Sequence, residues 1–178
     1  MKFFFFDGEK LPSRPKLLDL TQGLLGGFLA ILTLVYLTIY SGSYFIMAPF
    51  GASCVILFAV SQSPLAQPRN VIFGHLISAF IGLLFLKLLG DSVFVIAFSV
   101  GCAIAAMQFL RCVHPPAGAN PLVILLTANQ VNYDFSFLLF PVLSGSIALV
   151  IIAYIVNNLI GKSKWPIYWF ALFRNKKL

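Results

Sequence analysis

Arg111, His114, Pro115, Pro116, Gly118, Asn120 and Pro121 crowd into "RCVHPPAGANPLVILL", residues 111–126, between two oily stretches. Histidine is the side chain whose unperturbed pKa, about 6.5, falls nearest neutrality. His114 can therefore donate to an anion, carry the proton that accompanies one, or simply bond a neighbouring carbonyl. Arg111, one helical turn earlier, either snorkels to a membrane interface or draws an anion inward. Arg69, in "AQPRN", carries the same two readings.

The stretch has a counterpart. Residues 48–57, "APFGASCVIL", align with residues 115–124, "PPAGANPLVI", sharing Pro49/Pro116, Gly51/Gly118 and Ala52/Ala119. Ser53 and Asn120 follow, and then a short apolar run. Proline removes a backbone donor and breaks a helical ladder, and glycine permits a sharp turn. Ser53 or Asn120 can then cap a new helix, with Pro121 at its first turn. The structural breaks are thus assigned to Pro49, Pro115, Pro116 and Pro121.

A helix from Asn120 to about Asn129 would be about 15 Å long, half of a hydrocarbon core of about 30 Å. Two such half-helices would bring their amino termini together near the membrane midplane, where N–H groups and positive dipole ends favour an anion. The expected substrate-binding residues are Gly51, Ala52, Ser53, Gly118, Ala119 and Asn120, mostly through backbone N–H groups, with His114 beside them. Arg69 and Arg111 would tune charge at the approach. The competing reading makes both breaks plain helix kinks.

Other polar residues add less. His75 shares a face with Ser78 and Gly82 and reads first as a hydrogen-bonding packer between helices. Gln108, with Gly101 and Ala105, reads the same way, and Lys87 reads as a snorkelling residue. Asp7, Glu9, Asp19, Asp91 and Asp134 all fall near segment ends or loops, which disfavours a cation pump. Metalloprotease and phosphate-loop spacings are lacking, so neither an enzyme nor a cofactor or metal is expected. Cys54, Cys102 and Cys112 match no metal spacing and read as buried small apolar residues.

These residues must be positioned by a membrane-embedded helical framework. The chain is 60% hydrophobic and 10% charged, with mean hydropathy +0.97, against about 25% charged for soluble domains. The expected fold is an all-α membrane protein of six hydrophobic segments, arranged as a 3+3 inverted repeat with segments two and five as broken half-helices. The segments cover about 17–40, 43–60, 71–89, 93–110, 113–128 and 135–160. Repeat 1 is about 17–89 and repeat 2 about 93–160, within a transmembrane domain of 17–160. Residues 1–16 are read as a cytoplasmic segment, with no cleavable signal, and 161–178 as a basic cytoplasmic tail.

Six crossings put Lys10, Arg14, Lys16, Arg69, Arg111 and the tail on one side, as the positive-inside rule requires. Making segments two and five re-entrant would leave four crossings and move Arg69 and Arg111 outside. The net charge of +7 therefore suits membrane lipid rather than nucleic acid, with the protein in a bacterial inner membrane and its termini cytoplasmic. Gly23, Gly27 and Ala30, with Gly26 beside them, place small residues along one face of the first segment. That face admits close helix approach and invites a homo-oligomer.

"PFGASCVILFA", "SPLAQPRNVIFGHLIS" and "HPPAGANPL" together resemble the HPP family of small integral membrane proteins, over about Leu17 to Ile160. The family's tripeptide stands here as His114, Pro115 and Pro116. Members in cyanobacteria and chloroplasts are associated with nitrite transport, so the resemblance implies a membrane transporter or channel, with nitrite as the leading small inorganic anion. The family is described as having four membrane helices. That count agrees with six segments only if the two broken ones are counted as loops.

Overall fold

A computed structural model describes residues 13–42, 45–161 and 164–169, and all regular elements among them are helical. The chain begins with α1, Leu17–Ser41. Asp19 starts it by accepting from the Lys16 N–H at 2.9 Å. Gly42 ends it in the left-handed region at φ 68°, returning its N–H to the Thr38 carbonyl. Glycine fits there because a Cβ would strain that conformation.

α1 buries Gln22, Gly26, Ala30 and Leu34, one residue every four, and exposes bulky Leu and Phe side chains elsewhere. The packed small-residue face is therefore Gly26 and Ala30. A Cβ on Gly26 would enter the ring of Phe58, whereas Gly23 and Gly27 face open space. This corrects the stripe read from the sequence.

The second segment enters as extended chain, with Phe45 and Met47 buried, and becomes α2, Ala48–Ala59. The cap position is Met47, which gives no side-chain cap. Ser53 lies inside the helix, so its expected capping role is overturned. The other end of α2 is closed by side chains from its neighbours. Asn157 donates to the Leu57 carbonyl at 3.1 Å, and Gln22 Nε2 donates to Asn157 Oδ1 at 2.9 Å and to the Phe58 carbonyl at 3.4 Å. Terminal carbonyls that the helix cannot pair are thus satisfied in an apolar bundle.

A short turn, Pro64–Ala66, leads into α3, Pro68–Leu89. α3 packs closely against the fifth segment. A Cβ on Gly74 would lie 2.7 Å from His114 Cβ, and one on Gly82 would lie 2.9 Å from Pro121 Cα. Gly74, Ser78 and Gly82, each about one helical turn from the next, form a small-residue face that lets another backbone approach.

α4, Val93–Phe109, begins under a Ser92 side-chain cap and ends in a tight reversal. The Arg111 N–H reaches the Gln108 carbonyl, and the Cys112 N–H reaches that of Met107. Arg111 takes φ 56°, the position at which such a reversal normally carries glycine.

The fifth segment is a 3₁₀ stretch, Pro115–Ala119, continuing into α5, Asn120–Leu126. α5 has seven residues rather than the expected ten, and Asn120 does not cap it. Asp134 caps the next short turn, Phe135–Leu138. Its exposed carboxyl is held below the usual range, first by the Ser136 hydroxyl and then by the Ser136 N–H. A wide turn at Leu139–Leu143 then opens into α6, Ser144–Leu159.

Contacts sort the two ends of the bundle. Asp19 and Gln22 share a cavity wall with Ser61–Ser63 and Gly161, and Arg69 donates to the Leu110 carbonyl. The starts of α1 and α3 and the ends of α2, α4 and α6 therefore lie together. Ser41, Leu89 and the 127–134 loop belong to the opposite end. The second and fifth segments each carry the chain between these ends. α1, α3 and the 135–159 segment are long and apolar enough to cross a membrane.

The tail read as a cytoplasmic appendage packs onto the bundle where it is described. Trp165 is fully buried, the Ile167 N–H donates to Gln67 Oε1 at 2.8 Å, and the Tyr168 hydroxyl lies 3.0 Å from Asn70 Oδ1. Partial burial pushes the Tyr168 phenol above its ordinary pKa, while nearby Arg69 opposes the shift. Residues 1–12 and 170–178, assigned to the terminal segments from the sequence, lie outside the described residues.

Candidate functional site

The close approach of residues 114–121 to α3 brings three elements to one point. Ser53 on α2, His75 on α3 and His114 just before the 3₁₀ stretch are all fully buried. Ser53 Oγ lies 2.8 Å from His75 Nε2 and 2.8 Å from His114 Nε2. It also lies 3.0 Å from the Pro49 carbonyl. The imidazole centroids are 5.1 Å apart, and the Phe50 ring closes the other side of His75 at 4.8 Å, edge to face.

The two ends of this chain of bonds fix its polarity. His114 Nδ1 faces the Leu65 carbonyl at 2.9 Å. A carbonyl only accepts, so Nδ1 carries the proton. His75 Nδ1 faces Asn120 Nδ2 at 3.1 Å. That amide nitrogen also lies 3.1 Å from the His75 carbonyl and 2.8 Å from Ser78 Oγ. The carbonyl requires a donor at this position, which fixes the orientation of the Asn120 amide. His75 Nδ1 must then accept, and His75 Nε2 carries its proton toward Ser53. In the neutral state Ser53 accepts from His75 and donates to His114.

All donors of the neutral network are engaged. Among the acceptors, Asn120 Oδ1 is buried and has no hydrogen-bond partner among the described residues. A buried orphan carbonyl is costly and calls for a donor. The centre thus differs from the expected ring of free N–H groups. Gly51 N–H reaches the Met47 carbonyl at 3.4 Å, and Gly51, Ala52 and Ser53 lie within the helix. Gly118 and Ala119 belong to the 3₁₀ stretch. Gly51 and Gly118 have neither a positive φ nor a neighbour within 4 Å of where a Cβ would stand, so neither provides the sharp turn expected of it.

The predicted residues therefore separate into two groups. Ser53, His114 and Asn120 meet at the centre. Pro49 contributes its carbonyl, Pro116 and Pro121 are buried in the packed break, and Pro115 is exposed. Arg69 sits at the end of the bundle, donating to the Leu110 carbonyl at 2.8 Å, and Arg111 is exposed there. His75 is the residue that sequence reasoning undervalued. The available signal was that the chain has two histidines in all, one preceding the break and the other on the small-residue face. A separate cavity of about 370 Å³, lined in part by Asp19, Gln22, Phe58 and Ser63, opens at the end of the bundle rather than at the histidines.

An all-helical bundle with three span-length apolar helices and a buried polar centre defines an integral membrane protein. The family model "HPP, transmembrane region" matches residues 12–166, and the chain belongs to that family. It is 36% identical over 171 residues to a transmembrane protein of Dictyostelium discoideum, covering 92% of this chain and 55% of the relative. A second Dictyostelium discoideum transmembrane protein is 36% identical over 173 residues, covering 91% and 60%. The chain thus spans little more than half the length of these relatives. No solved structure matches it.

Proposed function

We propose that this chain is a membrane transporter or channel for a small inorganic anion, with nitrite as the leading candidate, and that the path passes the Ser53–His75–His114 centre. The observation that carries this reading is the chemistry of that centre. Its ionisable side chains are bases alone, so its charge ranges from zero upward. The carboxylates among the described residues, Asp19, Asp91 and Asp134, lie at helix ends or in loops. A buried centre that can only become positive favours an anion. Nitrite itself rests on the family resemblance.

The accompanying architecture is a six-crossing 3+3 inverted repeat. Its support is the antiparallel course of the α2 and α5 segments and the convergence of the matched residues Ser53 and Asn120 on one histidine. The end bearing Arg14, Lys16, Arg69 and Arg111 is assigned to the cytoplasm by the positive-inside rule.

A second reading has its own observation. Because the donors of the neutral centre are engaged internally, the same bonds serve a non-transporting scaffold equally well. Flux in sealed proteoliposomes separates the two. Uptake of nitrite, nitrate or chloride above empty-liposome controls, in alkaline buffer that suppresses nitrous acid leak, is the expected result. Folded protein that moves none of them would leave the scaffold.

A further inference from the structure

We propose that His114 takes up one proton at the centre of the bundle, and that the anion crosses together with that proton rather than alone. This rests on the anion-transport reading and adds an obligatory co-substrate to it.

In the neutral state Ser53 uses two of its three neighbours: it accepts from His75 Nε2–H and donates to His114 Nε2. The Pro49 carbonyl, which can also accept from this hydroxyl at 3.0 Å, competes with His114 Nε2 for its one proton. Now let a proton bind the His114 Nε2 lone pair. The imidazolium donates from Nδ1 to the Leu65 carbonyl and from Nε2 to Ser53 Oγ. The serine hydroxyl turns its own proton to the Pro49 carbonyl, and no covalent bond on serine breaks. Ser53 then accepts two bonds and donates one, which is the full capacity of a hydroxyl. The heavy atoms already stand at 2.8, 2.8 and 3.0 Å for this arrangement. The centre is therefore complete in the charged state without repacking, and only there are all three Ser53 contacts made at once.

His75 cannot take the same proton. A second N–H on His75 would point from Nδ1 at Asn120 Nδ2, donor against donor, and the His75 carbonyl holds that amide in place. The two histidines are thus unequal: His114 is charged, and His75 fixes the serine that receives it. Few other groups bear on this proton. α2 contributes Cys54, the α4 reversal contributes Cys112, and Arg69 sits at the start of α3 with Tyr168 beyond it. The 60–67 turn presents the Leu65 carbonyl, α4 presents Met107, and α5 presents Asn120. α6 carries Ser146 and Asn157, and its ionisable side chain, Tyr154, is exposed. No carboxylate is within this set to neutralise the imidazolium, so its charge must be met by a mobile anion. One monovalent anion and one proton enter, the pair is neutral at the centre, and both leave.

Two measurements on the full chain test this. In proteoliposomes held at zero membrane potential with potassium and valinomycin, an inward proton gradient should drive protein-dependent uptake of nitrite above its outside concentration, approaching about tenfold per pH unit for one-to-one coupling. Initial rates are read against empty liposomes, and Ser53→Ala should lose the gradient-driven component. Protein-dependent flux that follows voltage and ignores the proton gradient overturns the coupling but leaves the anion reading standing. No protein-dependent flux of nitrite, nitrate or chloride overturns both.

The second measurement uses histidine labelled with ¹⁵N, whose ring signals come from these two residues alone. At neutral pH it should show one ring protonated at Nε2 and the other at Nδ1, with only the latter becoming an imidazolium on acidification. Two rings of the same tautomer, or two that charge together, would overturn the assignment of the proton to His114.

Discussion

Ser53 and Asn120, which occupy matched positions in the two copies of the Pro-x-Gly-Ala motif, hold opposite ring nitrogens of His75, at 2.8 Å and 3.1 Å. Neither residue caps a helix. Each projects from its own short helical segment onto the same imidazole, so the two matched motifs meet at a shared partner rather than as paired helix starts. His75 is therefore the residue on which the two motifs converge, and the packing around it should tolerate little change.

That intolerance is specific to position. Gly82→Ala places a methyl against the Pro121 backbone, which cannot rotate away, and should cost about 1–3 kcal/mol. Gly118→Ala meets open space and should be neutral or slightly stabilising, because alanine is the better helix former by up to about 1 kcal/mol. Thermal unfolding of the two variants in one detergent compares them directly. Equal destabilisation would mean that the α3–α5 approach is looser than the distances imply.

The reversal after α4 makes a prediction of the opposite sign. Arg111 stands in the left-handed conformation that glycine prefers, and a non-glycine residue there carries strain of about 1–2 kcal/mol. Arg111→Gly should leave stability unchanged or raise it, whereas Arg111→Val, branched at Cβ, should lower it. Should Arg111→Gly instead destabilise strongly, the arginine side chain contributes more than its exposed position indicates.

The helical framework was legible in the sequence because long apolar runs and proline–glycine interruptions act locally. The approximate segment limits and the meeting of Ser53, His114 and Asn120 follow from that level of information. The roles of those residues did not. A serine after a proline–glycine pair reads as a cap, but α2 starts at Ala48, five residues before Ser53, because Pro49 is acceptable in a first helical turn. Likewise Gly23 and Gly27 look like a packing stripe, yet the bulk of Phe58 selects Gly26 instead. Which of two adjacent small-residue faces is buried depends on a partner residue far away in sequence.

Gln22 and Asn157 illustrate the same long-range dependence at the end of α2. Together they supply the donors for the last carbonyls of α2, 36 and 100 positions away respectively. Gln22→Leu removes one donor and strands Asn157 Oδ1, which should cost about 1–2 kcal/mol in an apolar bundle. Adding Asn157→Leu to Gln22→Leu should cost less than the two single changes summed. Additivity in this double-mutant cycle would show that the pair is not coupled.

The tail offers a test that needs no transport assay. Gln67 is fully buried and uses its whole amide: Nε2 donates to the Ser61 and Ser63 carbonyls at 3.0 and 2.8 Å, and Oε1 accepts the Ile167 N–H at 2.8 Å. One side chain therefore fixes both the turn that enters α3 and the 164–169 stretch laid across it. Replacing it by leucine of similar size leaves two carbonyls and one N–H without their partner, at about 1–3 kcal/mol for each group that stays buried. Releasing the tail into water is the easier escape, because it rehydrates the Ile167 N–H and draws Trp165 out of its buried site. Gln67→Leu should therefore speed tryptic cleavage at Lys164, which is exposed but adjoins the docked segment, and should shift tryptophan emission to the red. The α1–α6 bundle should stay folded, since no other contact described for Gln67 reaches the histidine centre. Unchanged cleavage and emission would mean that the burial of Trp165, rather than the Gln67 amide, holds the tail in place.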